Sequence, residues 1–244
     1  MATSRGHQSG SATRYFNRLA RGWAQKYGLR GSLLHRRSRV LDALQEKVRP
    51  GAAILDFGCG TGDITYACHG AGFHVEGVDR SSCMIEIARG RFEGTGIRFH
   101  LLNGGDGRVE LPYAAHQFDG IVVSSVLEYV VNPEECLCEL SRVCRPGAWA
   151  FLTVPNLWHP LRWIESGIRR VAPKGHGFFP QRVEDYLEYL KLSTSRFPVA
   201  RWREVLASSG WSCDEIRGWR EPLLLLVARC DFQWNKSKDE AADG

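Results

Sequence analysis

Three aspartates and three glycines carry the chemistry legible in this sequence of 244 residues. The stretch ILDFGCGTGDIT, residues 54–65, runs an apolar strand into Gly58, Gly60 and Gly62, with Asp56 ahead of the loop and Asp63 behind it. Bare glycines let a backbone approach a ligand without Cβ interference. Asp79 ends the next apolar run, VEGVD, and Asp106 follows a third, in LLNGGDG. Acids at successive strand ends of an open α/β sheet face one crevice, where such an acid accepts from ribose hydroxyls. Any one of them could instead cap the following helix. Three in one crevice favour a ligand.

A nicotinamide dinucleotide site wants a third glycine at position 63, which here is Asp63. A carboxylate there would repel pyrophosphate from the helix N-terminus. No Lys-Ser or Lys-Thr follows, so the loop is not a P-loop either. The ligand therefore lacks phosphate. S-adenosylmethionine, with a sulfonium, an ammonium and one carboxylate, meets these constraints. Asp56 is placed to accept from its ammonium, Asp79 from its ribose and Asp106 from its adenine amino group. Asp63 is expected to cap the helix after the loop.

The elements that must position these residues alternate. AAILDF, FHVEGVD, IRFHLLN, FDGIVVSS and AWAFLTVP read as strands, separated by helices over 62–71, SCMIEIARGRF and 133–144. That rhythm predicts an α/β fold with a mostly parallel sheet covered on both faces. A helix over 198–209 and the runs WSCDEIRGW and PLLLLVARC predict a terminal hairpin with an antiparallel edge. Residues 14–234 are expected to form a single domain with a helical cap over 14–49. Disordered tails are expected at 1–13 and 235–244. Residues 157–197 exceed what the sheet needs. Their stripe of Leu161, Ile164, Ile168 and Val171 predicts a helix, and the segment reads as a substrate lid over the carboxyl edge.

The composition excludes several classes. No apolar run approaches the ~20 residues of a spanning helix. The eight cysteines include no C-x-x-C, and Cys136 and Cys138 diverge on a helix, so they read as reduced thiols and no metal site is expected. Residues 1–50 hold eleven Lys and Arg against Asp42 and Glu46, a local charge of +9 within a net +5. Such an arm suits an anionic substrate, lipid headgroups or nucleic acid, or is simply a solvated face.

ILDFGCGTGDIT resembles motif I of the class I S-adenosylmethionine-dependent methyltransferases, and VEGVDRSSCMIEIAR resembles their second motif. The segment LPYAAHQFDGIVVSSVLEYVVNPEECLCELSRVCRPGAWAFLTVPN resembles the pattern that follows. The likeness covers residues 50–156 and points to the small-molecule, ubiquinone/menaquinone-biosynthesis group. It implies a Rossmann-like, doubly wound seven-stranded sheet with strand 7 antiparallel. It also implies Asp56, Gly58 and Gly60 at the methionine end, Asp79 at the ribose, and Arg80 and Met84 over the adenine. Asp106 would meet the adenine amino group, Ser124 would line the methyl-donor end, and Arg37 would meet the cofactor carboxylate. Two departures are PGA for PGG and LEY for LEH, which puts Tyr129 where a histidine is frequent.

Methyl transfer needs the acceptor held in line with the methyl, so orientation supplies much of the catalysis. A neutral hydroxyl acceptor also needs a base. His159, in VPNLWHP, is the candidate, followed by His176 and Tyr129. An amine or stabilised carbanion needs none. Tyr15, Phe16, Trp23, Trp158, Trp163, Phe178 and Phe179 could roof the pocket, or pack the core. With nearby arginines they suggest a small-molecule or lipid-like acceptor, taken by a cytoplasmic protein with peripheral membrane contact. Methyltransferases of base nitrogens often carry D/N-P-P-Y/F after strand 4, where this chain has SSVLEY. That argues against nucleic acid. A catalytically inactive binding protein on the same fold is the other alternative.

Overall fold

A computed structural model describes residues 5–27, 33–103, 109–171 and 180–231. Seven strands form one sheet in the order β3-β2-β1-β4-β5-β7-β6. They are β1 (Ala53–Phe57), β2 (His74–Asp79), β3 (Arg98–Leu101), β4 (Phe118–Ser124), β5 (Cys144–Pro155), β6 (Trp211–Arg217) and β7 (Leu223–Cys230). Strands β1 to β5 pair in parallel, whereas β7 runs antiparallel to both β5 and β6. The chain order reverses between β1 and β4, and the carboxyl ends of those strands open the crevice in which ligands bind in such sheets.

Helices α3 (Asp63–Gly70), α4 (Ser82–Arg91), α5 (Pro133–Val143) and α8 (Val199–Ser208) flank the sheet with α2 (Leu34–Lys47). Leu55, Ile121, Val123, Leu152 and Leu226 are buried on one side of the sheet, with Trp202 and Trp211 in the same cluster; Ile54, Val122, Phe151 and Val227 are buried on the other. Burial on both faces is why these strands read as continuous apolar runs rather than alternating ones. Local signals set the helix starts. Asn132 accepts from the Glu135 N–H ahead of Pro133, and Ser81 accepts from the Met84 N–H.

Three elements cover the carboxyl edge: α1 (Arg5–Trp23), α6 (Pro160–Val171) and α7 (Gln181–Leu192). Helix α1 starts at Arg5, inside the segment 1–13 expected to be a loose tail. Further along, the helix docks on the body: Asn17 Oδ1 accepts from the Ser81 hydroxyl at 2.6 Å, and Arg18 pairs with Asp185 and Glu188 of α7 at 2.9 and 2.6 Å. Helix α6 forms where its stripe predicts, but rolled about its axis: Leu161 lines the cavity and Ile168 is half-buried, while the inward position of Ile164 is lost to charged residues. Ile164 and Trp163 are exposed, and Arg162 and Glu165 are buried. The reason is pairing: Glu165 takes Arg162 on one side and Arg196 on the other, and Tyr186 donates to it. Helix α7 has no counterpart in the expected element list.

Gly62, the residue before α3, has φ +80, and a Cβ there would lie 2.9 Å from the rings of Phe92 and Phe99. Gly62→Ala is therefore expected to destabilise the fold by about 2–4 kcal/mol, from the left-handed backbone and overpacking together. Urea unfolding checks it: the midpoint should fall with the slope unchanged.

Candidate functional site

The loop after β1 is built from β2. The Gly58 and Cys59 N–H groups donate to the Val78 carbonyl at 2.8 and 3.0 Å. Asp79 Oδ2 accepts from the Gly60 N–H at 2.9 Å, and Oδ1 accepts from the Ser81 N–H at 2.8 Å. One carboxylate thus holds both the glycine loop and the start of α4. The glycines serve different neighbours. A Cβ on Gly58 would lie 2.2 Å from Val126 Cγ2, so Gly58, like Gly62, is bare for protein packing. Gly60, at φ +55, meets only the Trp23 indole at 3.7 Å and lines the cavity.

That cavity, of about 950 Å³, lies over the carboxyl ends of β1, β2 and β4. Asp56, Gly58, Gly60, Asp79, Met84 and Ser124 all line it, as do Arg80 and Tyr129. Asp56 is buried and accepts from the Thr65 hydroxyl at 2.7 Å. Burial outweighs that bond and pushes the Asp56 carboxyl up to about 7. Burial raises Asp79 as well, against the backbone N–H groups that favour its ionised form.

Beside β4 stands a cation. Arg36 donates to the Ser125 hydroxyl at 2.6 Å and the Tyr27 hydroxyl at 3.0 Å, while its buried Nε has no partner among the described residues. Ser125 has φ +55, a strained value for a side-chain-bearing residue, and Thr153 Oγ1 fixes it by accepting its N–H at 2.8 Å. Arg37, one residue round the helix, is not among the cavity-lining residues. A step of about 100° along a helix decides which arginine faces inward.

The far end of the cavity is aromatic. Tyr129 packs edge-on to Phe16 at 5.1 Å and lies 6.2 Å from Tyr189. Burial drives the Tyr129 phenol well above its ordinary range, so it keeps its proton and suits donation rather than base catalysis. Glu128 beside it is buried, accepts from the Ser193 hydroxyl at 2.5 Å, and also faces the cavity.

A methyltransferase-domain family model matches residues 55–152, which spans the glycine loop, both strand-end acids in the described residues and β4. The demethylmenaquinone methyltransferase of Tropheryma whipplei is 28% identical over 203 residues, covering 77% of this chain and 82% of the relative. The ubiquinone biosynthesis O-methyltransferase of Thiobacillus denitrificans is 31% identical over 147 residues, covering 58% and 59%. This chain carries a methyltransferase domain and is an S-adenosylmethionine-dependent methyltransferase. The magnesium protoporphyrin IX methyltransferase of Synechocystis, solved with bound SAH, shares the fold at TM-score 0.66 and 16% identity, over 89% of this chain and 97% of that one.

The residues of the methyltransferase fit S-adenosylmethionine as cofactor. The unpartnered Arg36 Nε offers a donor for a carboxylate, and Asp56 and Asp79 offer acceptors in the same cavity. Comparisons of this kind do not favour the nucleic-acid or inactive-protein alternatives. Several expectations need correction. His159 does not line the cavity: its Nδ1 accepts from the Leu161 N–H at 3.2 Å, so the ring closes the first turn of α6. Asn156, anchored to the carbonyls of Trp219 and Glu221, turns the chain there. Asp63 does not cap α3. It accepts from Thr61 at 2.6 Å and forms a two-pronged pair with Arg91 at 2.7 and 2.8 Å. Trp158 and Trp163 are exposed and roof nothing, whereas Tyr15, Phe16 and Trp23 do line the cavity. Asp106, His176, Phe178 and Phe179 lie outside the described residues. Arg36, Glu128 and Tyr189 were not singled out from sequence; only the LEY motif marked the neighbourhood of Glu128.

The raised Asp56 pKa has a sign. The native state holds this proton between the unfolded value near 4 and about 7, so stability falls as pH rises through that window. Asp56→Asn should remove this component. Urea unfolding of the cofactor-free protein at pH 5 and pH 8 should show a smaller loss in the variant, by about 2–4 kcal/mol.

Proposed function

We propose that this methyltransferase modifies a small aromatic acceptor of the quinol type. The reading rests on one observation above all: a single cavity has a polar glycine-loop end and an aromatic end, meeting at the carboxyl edge of β4. The names of the Tropheryma and Thiobacillus relatives support a quinone-pathway acceptor.

In this reading Asp56, Gly58, Gly60 and Arg36 hold the methionine end of the cofactor and Asp79 the ribose. Arg80 and Met84 flank the adenine, Asp106 meets its amino group, and Ser124 borders the methyl-donor end. Bound there, S-adenosylmethionine supplies an electrophilic methyl group on a sulfonium. The chain's own task is orientation and exclusion of water. Phe16, Tyr129 and Tyr189 offer flat faces for a ring, and α1, α6 and α7 cover it. Segment 157–197 acts as the acceptor lid. A lipid-like acceptor would be met at a membrane surface. Trp158, Trp163 and Ile164 stand out from the lid at 70%, 66% and 61% exposure, with Arg169 and Arg170 on the same helix. Aromatic and basic residues together suit an anionic interface. Among the described residues no helix is long and apolar enough to cross a membrane.

Two experiments test these roles. Calorimetry should show that Arg36→Met weakens S-adenosylmethionine about 10- to 100-fold, the value of one charge-assisted contact, yet leaves 5′-methylthioadenosine unchanged because it lacks the carboxylate. Equal losses for both ligands would remove Arg36 from the carboxylate. Transfer of labelled methyl to demethylmenaquinol, tested alongside a catechol acceptor, addresses the acceptor class; no transfer to either would count against it. For the membrane, sedimentation with phosphatidylglycerol vesicles should be lost in Trp158→Ser/Trp163→Ser and weakened by salt.

A further inference from the structure

We infer that Glu128 and Arg162 together form an oxygen-recognition site that selects acceptors carrying a ring hydroxyl. The inference deepens the acceptor reading above and rests on it. Glu128 lies in the short turn Leu127–Tyr129, four residues past the end of β4, and shares the cavity with Ser124. It is 2% exposed. Both of its side-chain hydrogen bonds land on Oε2, from Ser193 at 2.5 Å and Tyr189 at 3.4 Å. Among the described residues nothing donates to Oε1.

Arg162 supplies the opposite polarity. It is 5% exposed and also lines the cavity. Its Nη1 donates to Glu165 at 2.6 Å and its Nη2 to the Pro222 carbonyl at 3.0 Å, while its buried Nε has no partner among the described residues. The Tyr189 hydroxyl lies 3.5 Å from Arg162 Nη1 and 3.4 Å from Glu128 Oε2, so a single phenol separates the two groups.

A spare acceptor and a spare buried donor, on side chains linked through one phenol, define the complement. An anionic oxygen would face Glu128, and an ammonium would face Arg162. A bare hydrocarbon would leave both polar groups unsatisfied in a dry site, at about 1–3 kcal/mol each. A hydroxyl donates to Glu128 and accepts from Arg162. The rings of Phe16, Tyr129 and Tyr186 near this point favour a hydroxyl borne on an aromatic ring. Burial raises the Glu128 carboxyl, against the Ser193 hydrogen bond and the charges of Arg196, Arg162 and Arg36, which favour its ionised, accepting form.

Paired probes read the site without knowledge of the natural acceptor. The full chain is first titrated with S-adenosylhomocysteine. Failure of the folded protein to bind it would strike at the methyltransferase reading, separately from this inference. The saturated protein is then titrated calorimetrically with 1-naphthol and with 1-methoxynaphthalene, which keeps the ring and the oxygen but cannot donate. Wild type should prefer 1-naphthol by about tenfold or more, as one hydrogen bond to a charged group provides. Glu128→Leu should abolish the preference with 1-methoxynaphthalene and S-adenosylhomocysteine affinities unchanged, and Glu128→Gln, whose amide oxygen still accepts, should retain part of it. Equal affinities in wild type, a preference surviving in Glu128→Leu, or no saturable binding of either probe would overturn the assignment. If Glu128→Leu does not fold, the wild-type pair decides by itself.

Discussion

The Asp79 carboxylate holds the site together. Its two oxygens accept the N–H groups of Gly60 and Ser81, which couples the end of β2 to the glycine loop after β1 and to the first turn of α4. Ser81 then caps α4 and donates to Asn17, so the same chain of bonds docks α1 over the cavity. A buried carboxylate is costly unless it is hydrogen-bonded. Here the bonds that offset the cost also set the loop geometry, and each oxygen retains acceptor capacity toward the cavity. Loop, helix and roof therefore share one anchor.

The roof follows a different rule from the sheet. Over α6 and α7 its inner face is polar: Arg162, Glu165, Arg196, Ser193, Tyr186 and Tyr189 connect through hydrogen bonds to Glu128 in the turn after β4. Buried ion pairs of this kind contribute little net stability compared with apolar packing, because desolvation consumes most of the Coulombic gain. Their retention over a cavity is explained better by recognition than by stability. The apolar side chains that would otherwise have filled this space, Trp163 and Ile164, point outward.

Much of the fold is legible in the sequence for a simple reason. Parallel strands buried on both faces must be continuous apolar runs, and the turns between them must carry glycine or a capping residue. ILDF, VEGVD and GIVVS announce β1, β2 and β4, and the glycine loop followed by strand-end Asp79 announces the cofactor crevice. These signals are local, so no tertiary information is needed to see them.

The sequence by itself determined the α/β sheet, the antiparallel final hairpin and the acidic, glycine-floored half of the site, because periodicity and strand-end position encode all three. Tertiary structure alone decided which side chains face the other half. Arg36 rather than Arg37 enters the cavity by one step around a helix. Asp63 turns to Arg91 across the fold instead of capping its own helix, and His159 closes a helix turn instead of lining the cavity. The stripe on α6 was visible, but the roll of the helix against the body was not, since charged residues turn inward when they find partners from distant segments. Glu165 found Arg196 thirty-one residues away, and Glu128 found Ser193 sixty-five away. Such long-range pairing leaves no periodic trace in the chain, and it is what shapes the aromatic end of the cavity.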